Sequence, residues 1–248
     1  MPFLLRLLLL ALGAAAITGP AAAQHAPRVL IFSHSTGYRH AAIEPGVAAI
    51  KALGEKAGYA MTASEDPALF SDTALKDFDA IVFVSITTKP DDAASEWFTG
   101  DRRDALQGFV HRGGGIVGVH AAADSHYHWP WFGKLMGARF LRHPPGTPEG
   151  TVKLLDTKHP VTRGLAATVR RVDEWYYYDD FNPEVHLLAT FDPASIGEKD
   201  VNPNPISWSQ EFEGGRVFYT GMGHTAESYR EPWFLQHLGQ GLKWVLRR

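Results

Sequence analysis

The chain has 248 residues, a formal net charge of −3 and 45% apolar residues, a composition that supports a globular domain with a full core. It contains no cysteine, which excludes disulfide bonds, thiolate metal sites and cysteine nucleophiles. Acidic and basic residues are interspersed and form no basic run, so we expect no binding to nucleic acid.

Residues 1–23 have the pattern of a secretory signal peptide. Arg6 supplies a positive start, residues 7–17 form an apolar run, and an A-x-A cleavage site precedes Gln24. A transmembrane anchor is the competing interpretation, but the apolar run is shorter than the roughly 20 residues that span a bilayer. The pattern predicts cleavage, no stable membrane anchor, and a periplasmic or secreted mature chain of residues 24–248 that folds as a single domain.

The first half of the mature chain alternates short apolar runs with helical patterns, as parallel βαβ units do. The run at 80–85 is apolar almost throughout, which is typical of a strand in a sheet that is covered on both faces. Ser71 is a favourable N-cap for a short helix. In chain order we predict strands at 28–33, 59–63, 80–85 and 116–119, and helices at 43–57, 71–78 and 96–112.

The second half is less regular, and aromatic or proline-rich segments separate its predicted elements. The turn at 213–215 predicts a hairpin, and His237 in the last helix is expected on the surface. We predict strands at 151–156, 184–191, 205–210 and 216–220, a short helix near 131–136 and a terminal helix at 231–246. No repeat or linker divides the chain, which therefore reads as one α/β domain with a mainly parallel central sheet.

Histidines follow several predicted strands at their carboxyl ends. His40 comes after the first strand, His120 directly after the fourth and His224 after the last. Because the carboxyl ends of parallel strands share one edge of a sheet, we expect these side chains to meet in one cleft. Imidazoles and carboxylates in such a cleft suit either a divalent metal such as zinc or general acid–base catalysis. No motif such as H-E-x-x-H decides between these two chemistries.

Aromatic residues are concentrated near the polar segments, and Trp175 and Tyr176 directly follow Glu174. Aromatic faces stack on the C–H faces of sugars, while charged groups bind the hydroxyls. The glycines at 113–115 precede a strand and lack the Lys-Ser/Thr of a phosphate loop, so we expect no nucleotide site. The composition favours a sugar ligand, although ordinary aromatic packing explains any single ring equally well.

Several short motifs run through nearly the whole mature chain. They are GYRH at 37–40, GGGIVGVH at 113–120, GARF at 137–140, HP at 143–144 and 159–160, GL at 164–165, DEWY at 173–176 and GRVFYTGMGH at 215–224. Together they resemble the ThuA-like (trehalose utilisation) family. The resemblance implies a flavodoxin-like three-layer sandwich related to class I glutamine amidotransferases. Those enzymes carry a cysteine nucleophile where this chain has His120, so amidotransferase activity is not implied.

The resemblance also implies a role in carbohydrate metabolism beside oxidoreductases that make 3-keto sugars. Applied to the matching motifs and the residues near them, it suggests catalytic His120, Glu174 and His224, substrate-binding Arg39, Asp124, Trp175 and Tyr176, and metal-binding His40, His143 and His224. We expect an extracytoplasmic isomerase, lyase or hydrolase that acts on a sugar or 3-keto-glycoside and is functionally paired with a sugar oxidoreductase. A non-catalytic carbohydrate-binding module and an adaptor that works through protein contacts are the alternatives.

Overall fold

The computed structural model describes residues 25–199, 202 and 204–247, so the predicted signal peptide lies outside the described residues. The strands are β1 Arg28–Phe32, β2 Ala60–Ser64, β3 Ala80–Val84, β4 Gly115–Val119, β5 Arg139–Arg142, β6 Glu149–Leu154, β7 Thr168–Val172, β8 Tyr177–Asp179, β9 His186–Asp192, β10 Asn204–Phe212 and β11 Gly215–Thr220. The α-helices are α1 Ile43–Lys56, α2 Asp72–Leu75, α3 Asp101–His111, α4 Pro130–Met136 and α5 Pro232–Val245. Among the described residues, no helix combines the length and apolarity that a membrane crossing requires.

Five strands form a parallel unit in the order β2-β1-β3-β4-β11. Successive side chains of a strand point to opposite faces of its sheet. Val29 and Ile31 of β1 accordingly belong to the core beneath α1 and α5, whereas Leu30 and Phe32 belong to the core beneath α3 and α4. Helices cover both faces of this unit. The strand order is that of flavodoxin-like folds, the class that the family resemblance implies.

Beyond β11 the sheet continues with four antiparallel strands in the order β10-β9-β6-β7, while β5 and β8 form a separate two-stranded sheet. The predicted hairpin is present as β10 and β11. Its turn residues, Glu213 and Gly214, have φ values of 47° and 100°, as a type I′ turn requires. The sequence pattern predicts no strand at the positions of β5, β7 and β8.

Helix α3 begins at Asp101 rather than at the predicted residue 96. Glu96 is extended because its carboxylate accepts hydrogen bonds from the His128 backbone N–H at 2.5 Å and from Arg103 at 3.0 Å. Gly100 has a φ of 51°, outside the helical region. Tertiary contacts of Glu96 therefore override the helical pattern of the segment.

His237 is completely buried on the face of α5 that packs on the sheet, so the expected surface position is wrong. Its ring lies between the Ser207 hydroxyl, at 3.0 Å, and the Val161 carbonyl, at 3.3 Å. Both ring nitrogens have a hydrogen-bond partner, which lets a neutral imidazole be buried without a large cost. His237 also falls in the i, i+3, i+4 stripe of α5 with Phe234 and Leu238, a signal that the sequence analysis did not use.

Candidate functional site

Four polar side chains meet at the carboxyl edge of the parallel strands. His40 follows β1, His120 directly follows β4 and His224 follows β11. Glu174 reaches the same point from the segment between β7 and β8. One nitrogen or oxygen from each of these four residues lies within 4.8 Å of the other three. The three histidines that were predicted from strand ends and Glu174 from the DEWY motif therefore form a single cluster.

The tightest part of this cluster is a triangle of three atoms. His224 Nδ1 lies 3.1 Å from His120 Nε2 and 3.1 Å from Glu174 Oε2. The third edge, from His120 Nε2 to Glu174 Oε2, is 3.5 Å. Ligands about 2.0–2.1 Å from a tetrahedral zinc ion lie about 3.3 Å from one another. The spacing of these three atoms therefore fits one face of such a coordination shell.

The backbone and the second ring nitrogen of His120 are both held in place. Its φ is 51°, an uncommon conformation for a residue with a side chain, and its carbonyl accepts a hydrogen bond from Tyr219 at 2.7 Å. Nδ1 lies 2.9 Å from the carbonyl of Gly221. A carbonyl only accepts, so Nδ1 carries the hydrogen and Nε2 presents its lone pair to the cluster.

Asp173 ties together the two segments that carry Glu174 and His224. Its carboxylate accepts hydrogen bonds from the backbone N–H groups of Gly223 at 2.8 Å, His224 at 2.9 Å and Glu174 at 3.0 Å. It is fully buried, and Arg171 compensates its charge at 3.1 Å. Asp173 belongs to the DEWY motif but is not among the predicted site residues. Its position next to Glu174 in the sequence is the signal that could have identified it.

The surroundings of the cluster favour an ionised Glu174, a neutral His40 and a His224 that holds its proton more tightly than usual. Burial by itself would raise the pKa of Glu174, but the adjacent histidines His120 and His224 outweigh this effect and hold that pKa below its usual value. Burial, together with His120 and His224, lowers the pKa of His40 to about 3. Burial also opposes the charge of His224, yet the hydrogen bond to Glu174 raises its pKa. Neutral imidazole and carboxylate are the forms that ligate divalent metals.

Three members of the cluster line a cavity of about 350 Å³, whereas His120 is fully buried. The lining residues are Tyr38, His40, Asp124, Phe140, His143, Glu174, Tyr176 and His224. The ring of Tyr176 packs on His120, with centroids 4.4 Å apart. Asp124 accepts a hydrogen bond from the hydroxyl of Tyr127, and burial raises the pKa of Asp124 to about 6. The cavity therefore combines aromatic surface with groups that can accept or donate protons near neutral pH.

The structure does not bring every candidate into the cavity. Arg39 is half-exposed and is bound to Glu44 at 2.7 Å and Glu65 at 2.8 Å, outside the lining. Trp175 is fully buried, and its indole N–H donates to the carbonyl of Pro148 at 2.9 Å. Among the sequence candidates for substrate binding, only Asp124 and Tyr176 line the cavity.

His143 lies at the edge of the cluster rather than within it. Its Nδ1 is 3.1 Å from Glu174 Oε1, the oxygen that does not face His120 and His224. The same nitrogen is 2.8 Å from the carbonyl of Pro144. The group of four potential ligands therefore contains His40 and His224 from the predicted metal set, with His120 and Glu174 in place of His143.

The family model described as trehalose utilisation matches residues 28–245. This chain belongs to the ThuA family. The family description gives the protein a carbohydrate-utilisation context, and no curated protein matches the chain. The predicted family is thereby confirmed over nearly all of the described residues.

Solved structures agree with this assignment. A ThuA-like protein from Bacteroides uniformis is 27% identical with a TM-score of 0.73, and the match covers 92% of this chain and 95% of that chain. A ThuA-like protein from Parabacteroides merdae is 18% identical with a TM-score of 0.71 and coverage of 89% and 90%. A cytoplasmic protein from Salmonella typhimurium is 13% identical with a TM-score of 0.62 and coverage of 88% and 98%. The last two show the fold alone, and the predicted flavodoxin-like α/β class is confirmed.

Proposed function

We propose that this ThuA-family protein is a metal-assisted enzyme that moves protons on a sugar or a 3-keto-glycoside. The observation that carries the proposal is the triangle of His120 Nε2, Glu174 Oε2 and His224 Nδ1, because two of its residues, Glu174 and His224, also line a polar cavity. Its edges of 3.1–3.5 Å match the ligand spacing around a zinc ion. The same cavity offers aromatic surface and titratable groups for a sugar ring.

His120, Glu174 and His224 would hold the cation, which leaves a coordination position for a substrate oxygen, as in catalytic zinc sites. His40 is the fourth member of the cluster, and its Nδ1 atom is buried without a hydrogen-bond partner among the described residues, so the site has a further polar atom that a bound ligand could satisfy. When bound, a divalent cation supplies a fixed positive charge that stabilises negative charge developing on a substrate oxygen. In this proposal the two predicted catalytic histidines and Glu174 act as ligands rather than as proton carriers.

Asp124 is the residue that we expect to accept the proton. It lines the same cavity, and the Tyr127 hydroxyl binds one of its oxygens and so orients the carboxylate. A pKa of about 6 is suited to a base that works near neutral pH. Removal of a proton next to a ketone leads to isomerisation or elimination, so an isomerase or lyase activity on a 3-keto-glycoside follows from this arrangement.

The experiment that tests the proposal measures zinc content and zinc affinity in purified protein. We expect about one zinc per chain in the wild type and a fall in affinity in Glu174→Gln that exceeds the roughly 10- to 100-fold loss typical of outer-shell residues. His186→Ala is the matched control, because His186 is a half-exposed imidazole that pairs with Asp156 outside the cavity. Equal zinc affinity in wild type and Glu174→Gln would refute the assignment of the ligands.

A second measurement separates an enzyme from a binding module. The metal-loaded protein is incubated with 3-keto and unmodified disaccharides, and the products are followed by NMR. An enzyme converts at least one 3-keto substrate, and removal of zinc abolishes the conversion. A carbohydrate-binding module would instead bind a disaccharide without any turnover.

The proposal extends to location and partner. The pattern of residues 1–23 supports export to the periplasm or the medium, and residues 24–248 would act there. A 3-keto-glycoside is the oxidation product of a glycoside, so an oxidoreductase must supply it. We therefore expect this protein to work after a sugar oxidoreductase in the same compartment.

A further inference from the structure

Tyr38 is unusually exposed for a large aromatic residue. Its exposed fraction is 67%, the highest among the large hydrophobic residues that are exposed in the described part of the chain. It also lines the cavity above the metal-ligand cluster. A residue that is both exposed and part of the lining lies at the rim, where its ring can contact a ligand that extends out of the cavity. Neither the predicted site nor the proposed function uses this residue.

The segment that carries Tyr38 is held firmly. The Thr87 hydroxyl donates to the carbonyl of Tyr38 at 2.7 Å, and the N–H of Gly37 donates to the carbonyl of Thr87 at 3.2 Å. A Cβ atom on Gly37 would lie 2.8 Å from the carbonyl oxygen of Thr88, so the two backbones touch. The Tyr38 ring packs edge-on against His40, with centroids 4.8 Å apart. Little order would be lost on binding, because the ring is already positioned.

The size of the cavity limits what the site can enclose. About 350 Å³ lies at the lower end of the roughly 300–1,000 Å³ range of small-molecule sites, so the cavity suits a small group such as one sugar ring. Asp124 and His143 line that space and are not among the proposed metal ligands, and polar groups of this kind suit ring hydroxyls. A second ring linked to the first would leave the cavity at its rim. There it would meet the exposed face of Tyr38.

We infer that Tyr38 forms a second subsite that stacks a second ring of the substrate, so that the site takes glycosides of at least two rings. This inference rests on the proposed function and specifies its substrate class. The apolar C–H face of a sugar ring covers an aromatic face and removes both from water, which favours the longer substrate over a single sugar.

The test compares trehalose with methyl α-glucoside, which share one glucosyl unit and differ in the second ring, and also compares their 3-keto forms. Isothermal titration gives the Kd of each ligand for zinc-loaded wild type, Tyr38→Ala, Tyr38→Leu and Tyr38→Phe. We expect the wild type to prefer the two-ring ligand of a pair by about tenfold, which corresponds to about 1.4 kcal/mol. Tyr38→Phe keeps this preference, whereas Tyr38→Leu and Tyr38→Ala lose it. Leu155→Ala, which alters an exposed apolar residue outside the cavity lining, keeps it.

The outcomes separate this inference from the proposed function. If the wild type binds both ligands of a pair equally, or if Tyr38→Leu retains the preference, the subsite is refuted while the metal-assisted enzyme stands. If the wild type binds none of the four ligands, both the subsite and the sugar assignment are refuted. Melting temperatures of the wild type and of all four variants show whether a loss of binding comes from unfolding.

Discussion

At the scale of single residues, the direction in which each side chain points decides whether it belongs to the site. His40, His120 and His224 could be chosen because each follows a predicted strand. Glu174 and Trp175 are neighbours in sequence, yet Glu174 enters the cluster and Trp175 is buried elsewhere. Neighbouring side chains in an extended segment point in opposite directions, and the sequence does not say which one faces the site.

Replacement of Asp124 by asparagine tests the proposed proton acceptor. Burial raises the pKa of Asp124 to about 6, so the carboxylate is protonated below that pH and ionised above it. A base must be ionised, so we expect kcat/KM of the wild type to rise as the pH increases through 6 and then to level off. Asp124→Asn should lose about 10²- to 10⁴-fold in kcat and lack this limb of the pH profile. Asp91→Asn, at an exposed site outside the cavity, is the control, and an unchanged profile in Asp124→Asn would contradict the role.

At the scale of elements, burial decided which strands could be found from the pattern. β3 is buried along its whole length and reads as an apolar run, so it was predicted. β7, with the sequence TVRRV, is largely exposed at the edge of the sheet, and β5, with the sequence RFLR, has four residues of which two are exposed. Pairing with neighbouring strands stabilises such short or polar strands, and a local sequence pattern does not contain this information.

Asp173 holds the two segments that carry Glu174 and His224, so its replacement should weaken metal binding although Asp173 is not itself a proposed ligand. In Asp173→Asn the amide nitrogen meets backbone N–H groups of Gly223, His224 or Glu174 instead of accepting from them, and Arg171 loses its buried partner. We expect the protein to lose about 3 kcal/mol of stability and zinc affinity to fall about 10- to 100-fold. Both are measured well below the melting temperature of the variant.

A control is needed because any destabilised protein binds less tightly when part of it is unfolded. Leu242→Ala removes a buried side chain of α5 and should cost about 2–5 kcal/mol through the cavity that it leaves. We expect Leu242→Ala to keep wild-type zinc affinity. If both variants lose zinc affinity equally, Asp173 has a structural role only.

The burial of His237, on the inner face of α5, predicts how the stability of the fold responds to acid. Burial lowers the pKa of His237 from 6.5 to about 4, so the folded protein keeps this imidazole neutral while the unfolded chain takes up a proton below pH 6.5. Stability is therefore lost as the pH falls from about 6.5 to about 4, by about 3 kcal/mol from this group. Urea denaturation of wild type and His237→Gln between pH 7 and pH 4 measures the difference. Parallel stability curves for the two proteins would contradict it.

At the scale of the whole molecule, the site needs both halves of the sheet. The parallel strands β1, β4 and β11 deliver three histidines to one edge, as the rule for parallel sheets predicts. Glu174, by contrast, arrives from the segment between β7, at the far edge of the nine-stranded sheet, and β8, which belongs to the small second sheet. The motif at 173–176 indicated that Glu174 matters, but no rule of local sequence could bring it to the histidines.

The pattern of residues 1–23 makes a prediction for the mature protein. Expressed with its own leader in a Gram-negative host, the protein should be recovered from the periplasm or the medium with Gln24 as its first residue. Mass spectrometry of the N-terminal peptide measures this directly. Replacement of Ala23 by aspartate should block the cleavage. A protein that retains Met1 and remains in the cytoplasm would contradict the proposed location.

The sequence by itself determined the family, the α/β class and the order of the main elements, because apolar periodicity and strand-end motifs are local properties of the chain. It also indicated most of the polar residues of the site. Only the tertiary structure decided that His120, Glu174 and His224 form a triangle, that Asp173 holds it, and that Tyr38 stands at the rim. Distances between side chains depend on how distant segments pack, and packing is a property of the whole fold rather than of any segment.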